Sequence, residues 1–168
     1  LVLRHSAQTL LAPQEYDLKD FVMSVDEDVR GSFAESVQTL QGLVFILDDN
    51  IELAKQQFQS VLDKTDNPMS KTSSQLYLLQ VALMEGDNKK AEEYASIRGV
   101  KSFLSIKTAD MQVIQAWYQF KVKKDVVQTH KAMKIARQKM NSSRMLRDEK
   151  IYYQNWLAEL EKELTEGV

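Results

Sequence analysis

From Ser32 onward, apolar residues recur every three to four positions in blocks separated by short polar breaks. That period is the mark of amphipathic helices. Val37, Leu40, Val44 and Leu47 form one stripe, widened by Leu43 and Ile46. Asp48-Asp49-Asn50 interrupts it, and Ile51, Ala54, Phe58, Val61 and Leu62 make the next. This helix is expected to end before Thr65-Asp66-Asn67-Pro68, because proline lacks an N–H and disfavours helix at the residue before it. Leu76, Leu79, Ala82 and Leu83 follow, then the break Gly86-Asp87-Asn88. A helix is predicted over 88–97, with Gly99 as its stop signal.

Val113, Trp117 and Phe120 form a further stripe, with Thr108 as its cap and Asp110 at its positive end. Lys123-Lys124-Asp125 breaks it, and Val126, Met133, Ala136 and Met140 line another helix. After Asn141-Ser142-Ser143, a long helix carries Leu146, Tyr153, Leu157, Leu160 and Leu164 up to Gly167. Ser32-Phe33-Ala34-Glu35 and Thr72-Ser73-Ser74-Gln75 have the capping-box form, a hydroxyl followed three residues later by Glu or Gln. Residues 1–31 read as a helical extension, one short helix ended by Pro13 and a second over 14–23.

The breaks are periodic. Asn50, Asp87 and Asp125 each open the second helix of a pair, 37 and 38 residues apart. Four residues on stand Ala54, Ala91 and Thr129; eight on stand Phe58, Ala95 and Met133; five back stand Phe45, Ala82 and Phe120. A fixed period of this length predicts duplication of a helix–turn–helix unit. Two antiparallel helices joined by a tight turn approach closely beside it, so a small residue one turn into the second helix suits the crossing. Asp or Asn at the break accepts from the exposed N–H groups of the new helix.

"EGDNKKA", with Gly42, Phe45, Ala54 and Phe58 of the first unit, resembles the tetratricopeptide repeat family over residues 35–140. The chain departs from that pattern in a period longer than about 34, in Leu79 and Trp117 where a small residue is expected, and in Ala95 where a large one is. The resemblance implies an all-α fold: antiparallel hairpins at 32–67, 68–104 and 105–142 in a short right-handed solenoid, closed by a C-terminal capping helix over 143–168. A looser α–α solenoid or a plain helical bundle would carry the same periodicity. The implied function is non-catalytic binding of a peptide or protein segment on a concave face. In that register Thr39, Leu43, Leu76, Gln80, Ile114, Tyr118 and Lys121 line the groove; in another register they are core or solvent positions.

Composition supports the helical reading and excludes several functions. Gly and Pro number 5 and 2, while Leu, Ala, Lys, Gln and Glu, the good helix formers, are abundant. There is no Cys, which rules out a disulfide scaffold and thiolate chemistry and fits a cytoplasmic setting, either alone or as the cytoplasmic part of a membrane-associated protein. No apolar run is long enough to span a membrane. The chain begins at Leu1 and reads as an excised or processed piece. No nucleophile–base pair, phosphate loop or HExxH motif occurs, so an enzyme is not expected and no cofactor is implied. His5 and His130 stand apart, and Asp48, Asp49 and Glu52 read as helix capping rather than as a cation site, which needs six or more oxygens.

Net charge is −2 but polarised: residues 1–70 hold 5 basic and 12 acidic side chains, and residues 98–150 hold 13 and 4. Lys131, Lys134 and Arg137 form a basic face flanked by Lys121, Lys123, Lys124, Arg144 and Arg147. The simplest reading is a solvated helix face. The functional one is a surface for an acidic protein segment or a phosphate-rich membrane face, with nucleic acid disfavoured by the net charge and the lack of a binding motif. Pairing with the acidic stretch Asp26-Glu27-Asp28 of a second copy is a further alternative, making the chain a self-associating regulatory domain of a larger protein.

Overall fold

The computed structural model describes residues 16–25 and 33–167, and every regular element among them is helical. The helices are α1 (Leu18–Met23), α2 (Ala34–Leu47), α3 (Ile51–Lys64), α4 (Pro68–Glu85), α5 (Asn88–Ala95), α6 (Arg98–Leu104), α7 (Ala109–Tyr118), α8 (Val126–Met140) and α9 (Arg147–Glu166). A five-residue π turn, Gln119–Lys123, prolongs α7. The chain divides into two compact units, one of residues up to 81 with 144–149, the other of 82–143 with the remainder of α9. The division falls inside α4 and α9.

In the first unit α2 packs against both α1 and α3. The predicted stripes supply the core in part: Val37, Leu43, Ile46, Ala54, Phe58 and Val61 are buried, while Leu40, Val44, Leu47 and Leu62 are only half-buried. Phe58 stacks on Tyr77, ring centroids 5.3 Å apart. α1 is held by the first turn of α9. Asp148 accepts from the Leu18 N–H at 2.7 Å and the Lys19 N–H at 3.2 Å. Arg147 forks onto both oxygens of Asp17 at 2.8 Å, which holds that carboxyl below its usual range. Asp148 thus satisfies N–H groups that no side chain of α1's own cap reaches.

In the second unit α7 packs against α8. Trp117 stacks on Trp156 with centroids 5.4 Å apart, and its Nε1–H donates to the Trp156 carbonyl at 3.1 Å. Tyr153, Leu157 and Leu160 complete that side of the core. The buried Gln112 amide donates to the carbonyls of Leu104 and Ile106, tying the end of α6 to α7.

Several predicted boundaries move. α4 begins at Pro68, not at Thr72: Asn67 accepts from the Met69 N–H at 2.8 Å, and proline at the first helical position has no N–H to leave unsatisfied. Thr72–Gln75 is therefore helix interior, with Ser74 buried. Gly99 stops nothing; the chain breaks at Ser96-Ile97 and Gly99 lies in the first turn of α6. Leu146 is buried just before α9 starts. α2 opens at Phe33 without a side-chain cap, and Glu35 accepts from Thr65 Oγ1 at 2.6 Å instead. Asp49 is not a cap; Asn50 holds that position, without a side-chain bond. Ser32, His5 and Asp26-Glu27-Asp28 lie outside the described residues.

Candidate functional site

The three breaks share one geometry. Asp49, Gly86 and Lys124 each adopt a left-handed conformation, with φ of 57°, 73° and 56°. The next N–H reaches back to close the preceding helix: Asn50 to the Phe45 carbonyl at 2.7 Å, Asp87 to Ala82 at 2.9 Å, and Asp125 to Gln119 at 3.0 Å. This is the closure that ends helices at a left-handed residue. The carbonyls of Asn50, Asp87 and Asp125 accept from the N–H groups of Ala54, Ala91 and Thr129 at 3.0–3.1 Å. Those three small side chains are fully buried. Thr129 covers its hydroxyl by donating to the Asp125 carbonyl at 2.7 Å.

The third turn spans one residue more than the others, and the π turn absorbs it. A π turn hydrogen-bonds one residue further back than an α-helix, so it takes in a single insertion without ending the helix. This explains why the second repeat interval exceeds the first, and it makes Gln119, not Phe120, the counterpart of Phe45 and Ala82.

The π turn also shapes a polar cleft of about 300 Å³ bordered by α5, α6 and α7. Glu92 is its centre. It accepts from Tyr118 Oη at 3.0 Å and from Lys123 Nζ at 2.7 Å. The hydrogen bond from Lys123 holds the Glu92 carboxyl below its usual range. Desolvation, then the bond to Glu92, raises the Tyr118 phenol; the bond to Glu92 raises the Lys123 ammonium. Lys101 adds a second positive charge. Gln115 lines the same cleft, and its Oε1 is buried with no hydrogen-bond partner among the described residues. An orphaned buried acceptor costs about 1–3 kcal/mol.

A second, more apolar hollow of about 350 Å³ lies between α8 and the end of α9, lined by Phe120, Val126, Met133 and Leu164. Its rim is closed by ion pairs between Lys121 and Glu163 and between Arg137 and Glu161.

Most of the residues expected to line a groove have little exposed surface. Thr39, Leu43, Leu76, Gln80, Ile114 and Tyr118 are all buried. Lys121 is half-buried, paired with Glu163, with its Nζ over the Trp117 and Phe120 rings. Of these seven, only Tyr118 reaches a candidate site, through its hydroxyl. Lys131, Lys134 and Arg137 are exposed on α8 as expected. Arg137 is neutralised by Glu161, whereas Lys131 and Lys134 make no ion pair among the described residues. Asp48 pairs with Lys19 at 3.0 Å and Glu52 with Lys55 at 3.3 Å. No group of three or more metal-ligating side chains comes together among the described residues, and no described helix is long and apolar enough to cross a membrane.

Sequence reasoning missed Glu92, Lys101 and Gln115. Each looks like an ordinary helix-surface residue in the linear pattern, and Glu92 lies 31 positions from Lys123. Compared with known proteins, the chain matches no family model, no curated protein and no solved structure.

Proposed function

We propose that the chain is a tetratricopeptide-like helical-hairpin module whose work is to hold a protein segment, without catalysis of its own. The observation that carries this reading is the helix–turn–helix closure repeated at Asn50, Asp87 and Asp125, each with a compact buried residue one turn later. Repeated hairpins of this kind serve as interaction surfaces more readily than as reaction centres.

The charge distribution supports an acidic partner. Lys121, Lys123 and Arg137 are each satisfied by a carboxylate of the same chain. Lys131 and Lys134 are left over, and a rim charge of this sort steers association and sets salt dependence. The test is affinity capture at low and at moderate salt, comparing the natural chain with Lys131→Glu/Lys134→Glu. A salt-sensitive bound protein lost from the double variant supports the module. Identical capture by both chains, or no protein retained by either, overturns it.

A further inference from the structure

The cleft around Glu92 holds more chemistry than its internal ion pair uses. Lys101 and Lys123 both act on the one carboxylate that lines it, Glu92. Lys123 is bonded to it; Lys101 is exposed and makes no ion pair among the described residues. The cleft therefore carries a surplus positive charge at one edge. In its wall sits the opposite need, the Gln115 Oε1 acceptor without a donor. The terminal torsion of a glutamine is soft, so a small turn of that amide meets an entering N–H. Ala95 and Leu104 add an apolar strip between these polar groups.

We infer that this cleft receives an acidic residue of an extended peptide, its carboxylate on Lys101 and a main-chain N–H on Gln115 Oε1. This names the partner chemistry of the protein-binding reading above and rests on it. Sulfate, an anion without a proton, answers Lys101 but brings no donor for Gln115. A cation answers Gln115 but meets the surplus positive charge. A peptide carries both functions on one residue. The volume, about 300 Å³, stands at the low end of ligand sites, which run from about 300 to 1,000 Å³. That suits one side chain with its flanking peptide groups.

The test is an NMR titration of the full chain with acetyl-Gly-Glu-Gly-amide, its Gln counterpart and inorganic sulfate as separate probes. The Glu peptide should give saturable shifts at the Gln115 side-chain amide and through residues 95–105 and 118–123. The Gln peptide should bind about tenfold more weakly, the worth of one charge-assisted hydrogen bond. Lys101→Ala should weaken the Glu peptide by about as much. Lys101 is exposed, so the variant folds, and its spectrum verifies that. Gln115→Ala should remove the preference for a peptide over sulfate. Equal affinity for the Glu and Gln peptides, sulfate binding as tight as the Glu peptide, or absence of saturable shifts overturns the inference. Lys131→Glu/Lys134→Glu should leave this titration unchanged. Protein capture that depends on those two lysines, with no peptide response in the cleft, therefore sinks the cleft assignment alone.

Discussion

Phe58 fills the space in front of Gly42. A Cβ at Gly42 would stand 2.5 Å from Phe58 Cε1 and 2.7 Å from Cζ, nearer than real Cβ atoms come to anything. Phe58 is fully buried and stacked on Tyr77, so the ring has nowhere to swing. Glycine is required here by close helix approach, not by backbone conformation.

Gly42→Ala should therefore destabilise the chain by about 1–3 kcal/mol through overpacking, against the roughly 0.5–1 kcal/mol that alanine gains over glycine within a helix. Phe58→Leu costs stability by itself but opens the site, so Gly42→Ala should cost less in that background. A double-mutant cycle by urea unfolding reads the coupling. Purely additive losses would mean that the added methyl does not meet the ring.

The left-handed residues give a pair of opposite expectations. Gly86 has open space where a Cβ would go, so Gly86→Ala meets only the strain of its φ of 73°. It should lose about 1 kcal/mol. Lys124 already carries that strain, and Lys124→Gly should gain a similar amount. At this chain length each kcal/mol is about 2–4 °C in Tm. A melting temperature that falls in both variants would contradict the shared turn geometry.

Glu92 supplies a pH dependence. Its folded-state pKa lies below the ordinary value because Lys123 donates to it, so the unfolded chain binds the proton more readily. The contribution is therefore present above the ordinary carboxylate pKa and is lost as pH falls through the lower folded value. The raised Lys123 pKa acts in the other direction, with stability lost as pH rises through it, above about 10.4. The stability difference between the natural chain and Glu92→Gln should be widest near neutral pH and close below about pH 4. Both partners are about half exposed, so it should also shrink with added salt. Chemical unfolding at several pH values measures this; a difference that is flat from pH 7 to pH 3 would remove the ion pair from the account.

The helices and their breaks were legible because burial on one face imposes a period that composition alone cannot hide. Phe58, Leu79, Met133 and Leu160 are core as read, whereas Val126, read into the same stripe as Met133, is exposed and Leu62 and Leu164 are only partly buried. Helix ends were less legible. Proline at 68 marks the start of α4 as well as the end of what precedes it, and Asn67, not a hydroxyl, accepts from the freed N–H groups. How deeply each face is covered was less legible, since a stripe says which face is apolar but not how many neighbours cover the rest. α2 is flanked by α1 as well as α3, and Thr39 and Leu43 are buried. The cleft around Glu92 depends on one inserted residue taken up as a π turn. Nothing in the linear spacing distinguishes that from a longer loop.

Compact side chains one turn beyond each break are the premise shared by the hairpins, and enlarging them is the sharpest measurement. Ala54→Leu, Ala91→Leu and Thr129→Leu, each melted separately, should each lose about 1–3 kcal/mol, seen as a Tm lower by several degrees. An unchanged melting temperature in any of the three would contradict tight packing at that turn, and unchanged values in all three would end the case for a repeated hairpin.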